Sequence, residues 1–196
     1  MRRIVLLLLA LAACDTAEPS APPTQREKRA VQAAPAPVAK PVRDNGVLDR
    51  AQAGLPAPNA TFQDSEGEPV TLADYAGRPV LLNLWATWCA PCVAEMPTLD
   101  GLAAREAGKM SVITVSQDSD SDGGPASAKV DAFFTRMKFT QLGAYLDAES
   151  ALMTQLGVSI LPTTILYDAA GKEVWRVTGE LDWTGDRARK LIAEGT

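Results

Sequence analysis

An α/β fold, with a central mixed sheet and helices on both of its faces, is what three features of the chain predict. The first is an apolar run, Val80-Leu81-Leu82-Asn83-Leu84, which reads as a buried strand and gives way to a helical pattern from Ala90. The second is the alternation of strand-like and helix-like segments that continues to about residue 157. The third is a closing pair of strand patterns, Thr163 to Tyr167 and Glu173 to Thr178, around the turn Asp168-Ala169-Ala170-Gly171.

Taken in order, the chain opens with Met1-Arg2-Arg3 and a ten-residue apolar run from Ile4 to Ala13. That run is too short to span a bilayer comfortably but suits the core of a signal peptide. It ends Leu11-Ala12-Ala13-Cys14, which resembles a bacterial lipoprotein cleavage box. Residues 1–13 are therefore expected to be a signal peptide and Cys14 a lipid-bearing, redox-silent first residue of the mature chain. The alternative is ordinary signal cleavage, with Cys14 lost or unmodified. Either way the protein is expected to be exported to a compartment where disulfides persist. Asp15 resembles the signal that retains such lipoproteins at the inner membrane, which places the anchor on the periplasmic side in a Gram-negative cell.

Residues 14–57 read as a tether. Between Asp15 and Pro58 fall eight of the chain's 14 prolines, with no sustained apolar periodicity from which to build a core. A flexible segment of this length reaches roughly 35–40 Å. Arg26, Lys28 and Arg29 are interrupted by Glu27, so this stretch reads as solvated linker rather than a lipid-binding patch.

Residues 58–196 have the size of one domain able to bury a core. From Ala51 onward there are 11 basic against 19 acidic side chains, a balance of −8. Such a domain lacks a phosphate-neutralising stripe, which argues against nucleic acid as a partner. Its elements begin with a hairpin, Ala60 to Gln63 and Glu68 to Leu72 around Asp64-Ser65-Glu66-Gly67, and a short turn or helix at Asp74 to Gly77. The core strand near Pro79 to Trp85 follows, then a helix from about Ala90 to Ala107 with Pro97 inside it, where a kink is expected. Met110 to Ser116 alternates as a strand, Ala126 to Met137 fits a helix, Ala144 to Asp147 a short strand and Ser150 to Leu156 a helix. The hairpin at 163–178 comes next, and a helix over about Gly185 to Glu194 closes the chain.

The chemistry gathers at Trp85-Ala86-Thr87-Trp88-Cys89-Ala90-Pro91-Cys92, where the core strand ends and its helix begins. Two cysteines spaced this way on a first helical turn can form a reversible disulfide. The helix N-terminus favours thiolate at Cys89, and Pro91 is tolerated because a first-turn N–H has no intrahelical partner. A four-ligand zinc site would need two more ligands, yet the only other Cys is Cys14 and the chain has no His. A static structural bridge would remove little unfolded-state entropy across so short a loop. A redox-active pair is the better reading.

These residues, with Glu95-Met96-Pro97 and the distant Leu161-Pro162-Thr163-Thr164, resemble the TlpA/ResA branch of thioredoxin-like proteins over about residue 55 to the C-terminus. The resemblance implies a thioredoxin-like fold carrying an N-terminal β-hairpin and a helix–strand–helix insertion between about 118 and 157. It implies a tethered thiol–disulfide oxidoreductase outside the cytoplasm, with no cofactor or metal. The expected direction is reduction of protein disulfides, in apocytochrome c maturation or on copper-assembly proteins, with recharging by a membrane thiol electron donor. A monomer is expected.

Within that pattern Cys89 is the nucleophile and Cys92 resolves the mixed disulfide. Cys92 must lose a proton while shielded from water. Thioredoxins place a buried Asp six residues before the first Cys for this purpose, and here Asn83 stands there. An amide cannot titrate. Glu95, three residues after Cys92, is within reach of the thiol, and the resemblance implies the accepting role for it; the alternative is a solvent-facing helical carboxylate. Pro162 corresponds to the family's cis-proline facing the disulfide, and Leu161 to the residue whose backbone pairs with an extended substrate. Trp88, with Pro91 beside it, is expected on the rim that substrates touch, whereas core packing accounts for Trp85 and structural roles for Trp175 and Trp183.

Three further readings are weighed. Asp118-Ser119-Asp120-Ser121-Asp122-Gly123 matches the first half of a calcium loop, but Lys129 occupies the position that needs a bidentate Glu, so a solvated acidic loop is expected. A copper-binding assembly factor using Cys89 and Cys92 as Cu(I) ligands is the alternative function, although such factors resemble this fold with wider Cys spacing and a distant His. A peroxidase is disfavoured because Ala86 stands where Thr or Ser would be needed.

Overall fold

The computed structural model describes residues 41–195, so the signal segment 1–13, Cys14 and the tether up to residue 40 lie outside the described residues. The strands are β1 (Val47–Asp49), β2 (Phe62–Gln63), β3 (Pro69–Val70), β4 (Val80–Trp85), β5 (Ser111–Ser116), β6 (Tyr145–Leu146), β7 (Thr163–Tyr167) and β8 (Glu173–Thr178). The helices are α1 (Ala90–Arg105), α2 (Ala126–Met137), α3 (Ala151–Gln155) and α4 (Asp186–Ile192), with short 3-10 turns at Leu72–Tyr75 and Asp120–Asp122. The strands form one mixed sheet in the order β1-β8-β7-β4-β5-β6-β2-β3.

β4 lies at the centre, parallel to β5 and antiparallel to β7, and all six of its residues are buried. Alternation along the strand sends Val80, Leu82 and Leu84 to one face and Leu81 and Trp85 to the other. Asn83 shares the parity of Leu81 and Trp85, so the strand aims a polar side chain at α1. On that face Met96, Leu99 and Leu102 of α1 pack with Val130 and Phe133 of α2 and Ala188 and Leu191 of α4. Trp85 meets Phe133 with ring centroids 4.8 Å apart, and Trp175 stacks on Trp183 at 6.4 Å. Phe62, Leu152, Ile165 and Tyr167 fill the opposite core with Leu82 and Leu84.

The N-terminal hairpin is present as β2–β3 and the insertion as α2–β6–α3. The hairpin strands are shorter than expected, because Leu72–Tyr75 turns away as a 3-10 segment whose entry is held by Thr71 N–H donating to Asp74 Oδ2 at 2.7 Å. α1 runs through Pro97 and stops at Arg105 rather than Ala107.

Part of the expected tether is folded. Val47–Asp49 pairs antiparallel with Thr178, Val177 and Arg176, covering the otherwise open edge of β8. Just before it, Asn45 and Gly46 N–H groups donate to the Glu180 carbonyl at 3.1 and 3.0 Å. Residues 45–49, within the stretch expected to be tether, thus hydrogen-bond to the domain.

Candidate active site

Trp85 ends β4 and Cys89 caps α1, so residues 86–88 form the loop that carries the chemistry out of the sheet. Cys89 N–H closes a turn on the Ala86 carbonyl at 3.1 Å. The loop is stapled from behind by Asp118, whose carboxylate accepts from Thr87 N–H at 2.8 Å, Thr87 Oγ1 at 2.5 Å and Ser116 Oγ at 2.6 Å. Asp118 is fully buried, which corrects its placement in a solvated loop: the acidic run starts inside the protein, with Ser119 half-buried and Asp120 and Ser121 exposed.

Cys89 and Cys92 are joined in a disulfide with Cα atoms 5.3 Å apart. Cys89 is 6% exposed and Cys92 not at all, so an incoming sulfur meets Cys89 first. The Cys92 backbone N–H donates to Cys89 Sγ at 3.4 Å, and the open end of α1 adds its partial positive charge. Both favour negative charge on Cys89 once the bond is reduced. Trp88 stands beside it, 62% exposed, while Trp85, Trp175 and Trp183 are buried.

One helical turn deeper is Glu95, on the buried stripe of α1 that also carries Cys92, Met96, Leu99 and Leu102. Its carboxyl is fully buried, which excludes the solvent-facing alternative. One oxygen accepts from Asn83 Nδ2 at 2.7 Å and the other from the Leu181 N–H at 3.1 Å. Asn83 is itself held by donation to Thr164 Oγ1 at 2.9 Å across the β4–β7 ladder. Burial pushes the Glu95 pKa up from 4.5 to about 8, and nearby Glu180 pushes the same way. The hydrogen bonds from Leu181 and Asn83 oppose that rise, and the Trp183 indole lies close by. With the disulfide formed, such a carboxyl holds its proton at neutral pH.

Across from the disulfide the Leu161–Pro162 peptide bond is cis, as the resemblance implied, with Pro162 buried and Leu161 half-buried. Leu161 and Pro91 form a ridge shared by two grooves. One, about 450 Å³, is walled by Arg43, Asn45 and Glu180; the other, about 560 Å³, by Trp88, Gln117 and Met153.

A family model described as Redoxin matches residues 52–192. The thiol-disulfide oxidoreductase ResA of Bacillus thuringiensis (strain Al Hakam) is 33% identical over 132 residues, covering 67% of this chain and 73% of that protein. The chain belongs to the Redoxin family, in its ResA-like branch. Two solved structures share its thioredoxin-like fold. The pneumococcal exposed lipoprotein thioredoxin Etrx1 from Streptococcus pneumoniae has a TM-score of 0.57 at 25% identity, covering 70% of this chain and 98% of that one. StoA from Bacillus subtilis has a TM-score of 0.56 at 24% identity, covering 72% and 100%. This Redoxin-family chain is a thiol–disulfide oxidoreductase with Cys89–Cys92 as its disulfide.

Four residues around this Redoxin-family site had no role in the sequence reading. Thr164 was visible in the Leu161–Thr164 motif, and its placement opposite Asn83 follows from strand register alone. Asp118 was visible only as part of an acidic run. Glu180 and Leu181 carried no local signal, because what matters is the loop after β8 folding back over α1.

Proposed function

We propose that this protein is a membrane-tethered, extracytoplasmic reductant of protein disulfides, with Glu95 as the proton carrier for Cys92. The observation that carries the reading is the fully buried Glu95 carboxyl, one helical turn past an inward-facing Cys92. A carboxyl lifted to about 8 is a far better acceptor for a thiol proton than an ordinary carboxylate, so the transfer from Cys92 is less uphill.

In the reduced enzyme the Cys89 thiolate attacks a client disulfide, forming a mixed disulfide and releasing one client thiolate. Cys92 gives its proton to the Glu95 carboxylate and attacks Cys89 Sγ. The second client thiolate leaves, and the enzyme is left as the disulfide with Glu95 protonated. Recharging runs the other way: a donor thiolate attacks Cys89, Cys92 departs and takes back the proton from Glu95, and the donor's second thiolate then closes the donor disulfide and releases the Cys89 thiolate. Two electrons move from the donor dithiol to the client in each cycle.

Leu161 presents its backbone to the extended client beside the cis-Pro162, with Trp88 and Pro91 on the rim. Cys14 carries the lipid that holds the domain at the periplasmic face of the inner membrane, and the description of a structural relative as an exposed lipoprotein agrees with such an anchor. Among the described residues no helix is long and apolar enough to cross a membrane. The clients are cysteine pairs of apocytochrome c or of copper-assembly proteins, and the electron donor is a membrane thiol protein.

The test uses the reduced protein and a peptide bearing an oxidised haem-attachment Cys-x-x-Cys-His pair. Stoichiometric reduction by the native protein, with a trapped mixed disulfide in Cys92→Ser, supports the proposal. An unreacted peptide beside a fully reduced enzyme contradicts it.

A further inference from the structure

The loop after β8 ties together distant parts of the active site through three consecutive residues. The Gly179 N–H donates to the carbonyl of the cis-Pro162 at 2.8 Å. The Leu181 N–H donates to Glu95 Oε2 at 3.1 Å. Between them Glu180, only 6% exposed, is occupied by a segment just ahead of β1. Its Oε1 accepts from the Arg43 N–H at 2.7 Å, and its carbonyl from the Asn45 and Gly46 N–H groups at 3.1 and 3.0 Å.

Residues 43–46 are fixed from a second side as well. Arg187 of α4 pairs with Asp44 at 2.6 Å and donates to the Gly46 carbonyl at 2.6 Å. The two backbones approach closely at a pair of glycines. A Cβ on Gly46 would lie 2.5 Å from Val177 Cγ1, and one on Gly179 would lie 3.3 Å from Gly46 Cα. Covering the edge of β8 is the work of β1 alone. The contacts of residues 43–46 go instead to the loop that holds Glu95 and Pro162.

We propose that residues 43–46 are a positioning strap for proton transfer: by pinning residues 179–181 they hold the Leu181 N–H on Glu95 and keep its carboxyl oriented toward Cys92. One Glu95 oxygen is set by Asn83 on the rigid central strand, but the other depends on a loop, the kind of element that moves most unless it is tied down. In the step concerned the Cys92 S–H bond breaks, an O–H bond forms on Glu95, and the sulfur electron pair attacks Cys89 Sγ. The other groups close to Glu95 are Asn83 and the Trp183 indole, which do not titrate, and Glu180, which the strap itself holds. The inference rests on the reading of Glu95 as the proton carrier.

The experiment mixes the full reduced chain with a chromogenic aromatic disulfide. One coloured thiolate is released when the mixed disulfide forms on Cys89, and a second when Cys92 resolves it. Gly46→Val wedges the strap away from Val177 and Gly179. Independently, Arg187→Met removes the clamp without adding bulk at the contact. Each variant should slow the second release roughly fivefold at neutral pH, the scale of one lost hydrogen bond, and leave the first unchanged. The slowing should shrink as the pH rises and Cys92 ionises unaided, whereas a general weakening of the fold would slow resolution equally at every pH. Exchange of the Leu181 amide should quicken at least about tenfold in the same variants, with the Leu82 and Leu84 amides of β4 unchanged. Glu95→Gln is the reference. If it slows the second release while both strap variants keep the native rate, or slow both releases alike at every pH, the strap proposal is overturned and the proton-carrier reading stands. If Glu95→Gln leaves the second release unchanged, that reading falls and the strap proposal with it.

Discussion

Asn83 and Glu95 are joined by a 2.7 Å hydrogen bond, amide to carboxyl, in the buried layer between β4 and α1. The pairing divides the work of one site between two elements. The strand supplies a fixed, non-titrating donor, itself anchored on Thr164, and the helix supplies the group that can exchange a proton. An Asp in place of Asn83 would set two buried carboxyls against each other and force them to share a proton. With the amide, Glu95 titrates as a single group.

The first consequence is a pH-dependent stability of the disulfide form. Glu95 is raised from 4.5 to about 8, so between those values the folded protein holds a proton that the unfolded chain has released. Its contribution is most favourable below pH 4.5, weakens as pH rises toward 8, and levels off above. The limiting slope is about 1.4 kcal/mol per pH unit. Glu95→Gln should flatten that decline in urea unfolding between pH 5 and 8. Parallel curves for the two proteins would mean that Glu95 is ionised throughout.

Kinetically, Glu95→Gln should spare formation of the mixed disulfide and slow its resolution, by roughly 10²-fold at neutral pH. Rapid mixing with acid quench should show the mixed disulfide accumulating. Raising the pH should narrow the gap, since Cys92 then ionises without help. A uniform slowing of both steps would point to misfolding of α1 instead.

Glu180 offers a way to tune the same group without touching it. Its carboxylate is almost fully buried, accepts from the Arg43 N–H at 2.7 Å, and adds to the upward push on Glu95. Glu180→Gln keeps an acceptor for Arg43 while removing the charge. The carbonyl stretch of protonated Glu95, followed by infrared titration, should shift its midpoint to lower pH. An unmoved midpoint would show that the two carboxyls are electrostatically independent.

Asp118→Ala removes the acceptor for three donors behind the active-site loop and should cost about 3 kcal/mol in chemical denaturation. Asp118→Asn, which retains one acceptor oxygen, should cost less. Equal losses would mean that charge rather than hydrogen bonding sets the effect.

What could be foreseen follows the range of the forces involved. β4, the helix from Ala90 and the cysteine pair are written in contiguous residues, and all three are where the pattern puts them. β1 is three residues in a Pro- and Ala-rich stretch, and its partner strand lies some 130 positions away, so nothing local marks it. Asp118 looked solvated for the same reason: its burial is decided by Thr87, 31 positions earlier. The Glu95 side chain was legible as close to Cys92, but its depth depends on Leu181 folding over α1 from 86 positions downstream.

The most direct test of the reductant reading is the reduction potential of the Cys89–Cys92 pair, followed by Trp fluorescence in thiol redox buffers. A value of roughly −270 to −220 mV, at the thioredoxin end of the scale, is the predicted result. A value near about −120 mV, as in strong periplasmic oxidants, would contradict it and make the protein a disulfide donor.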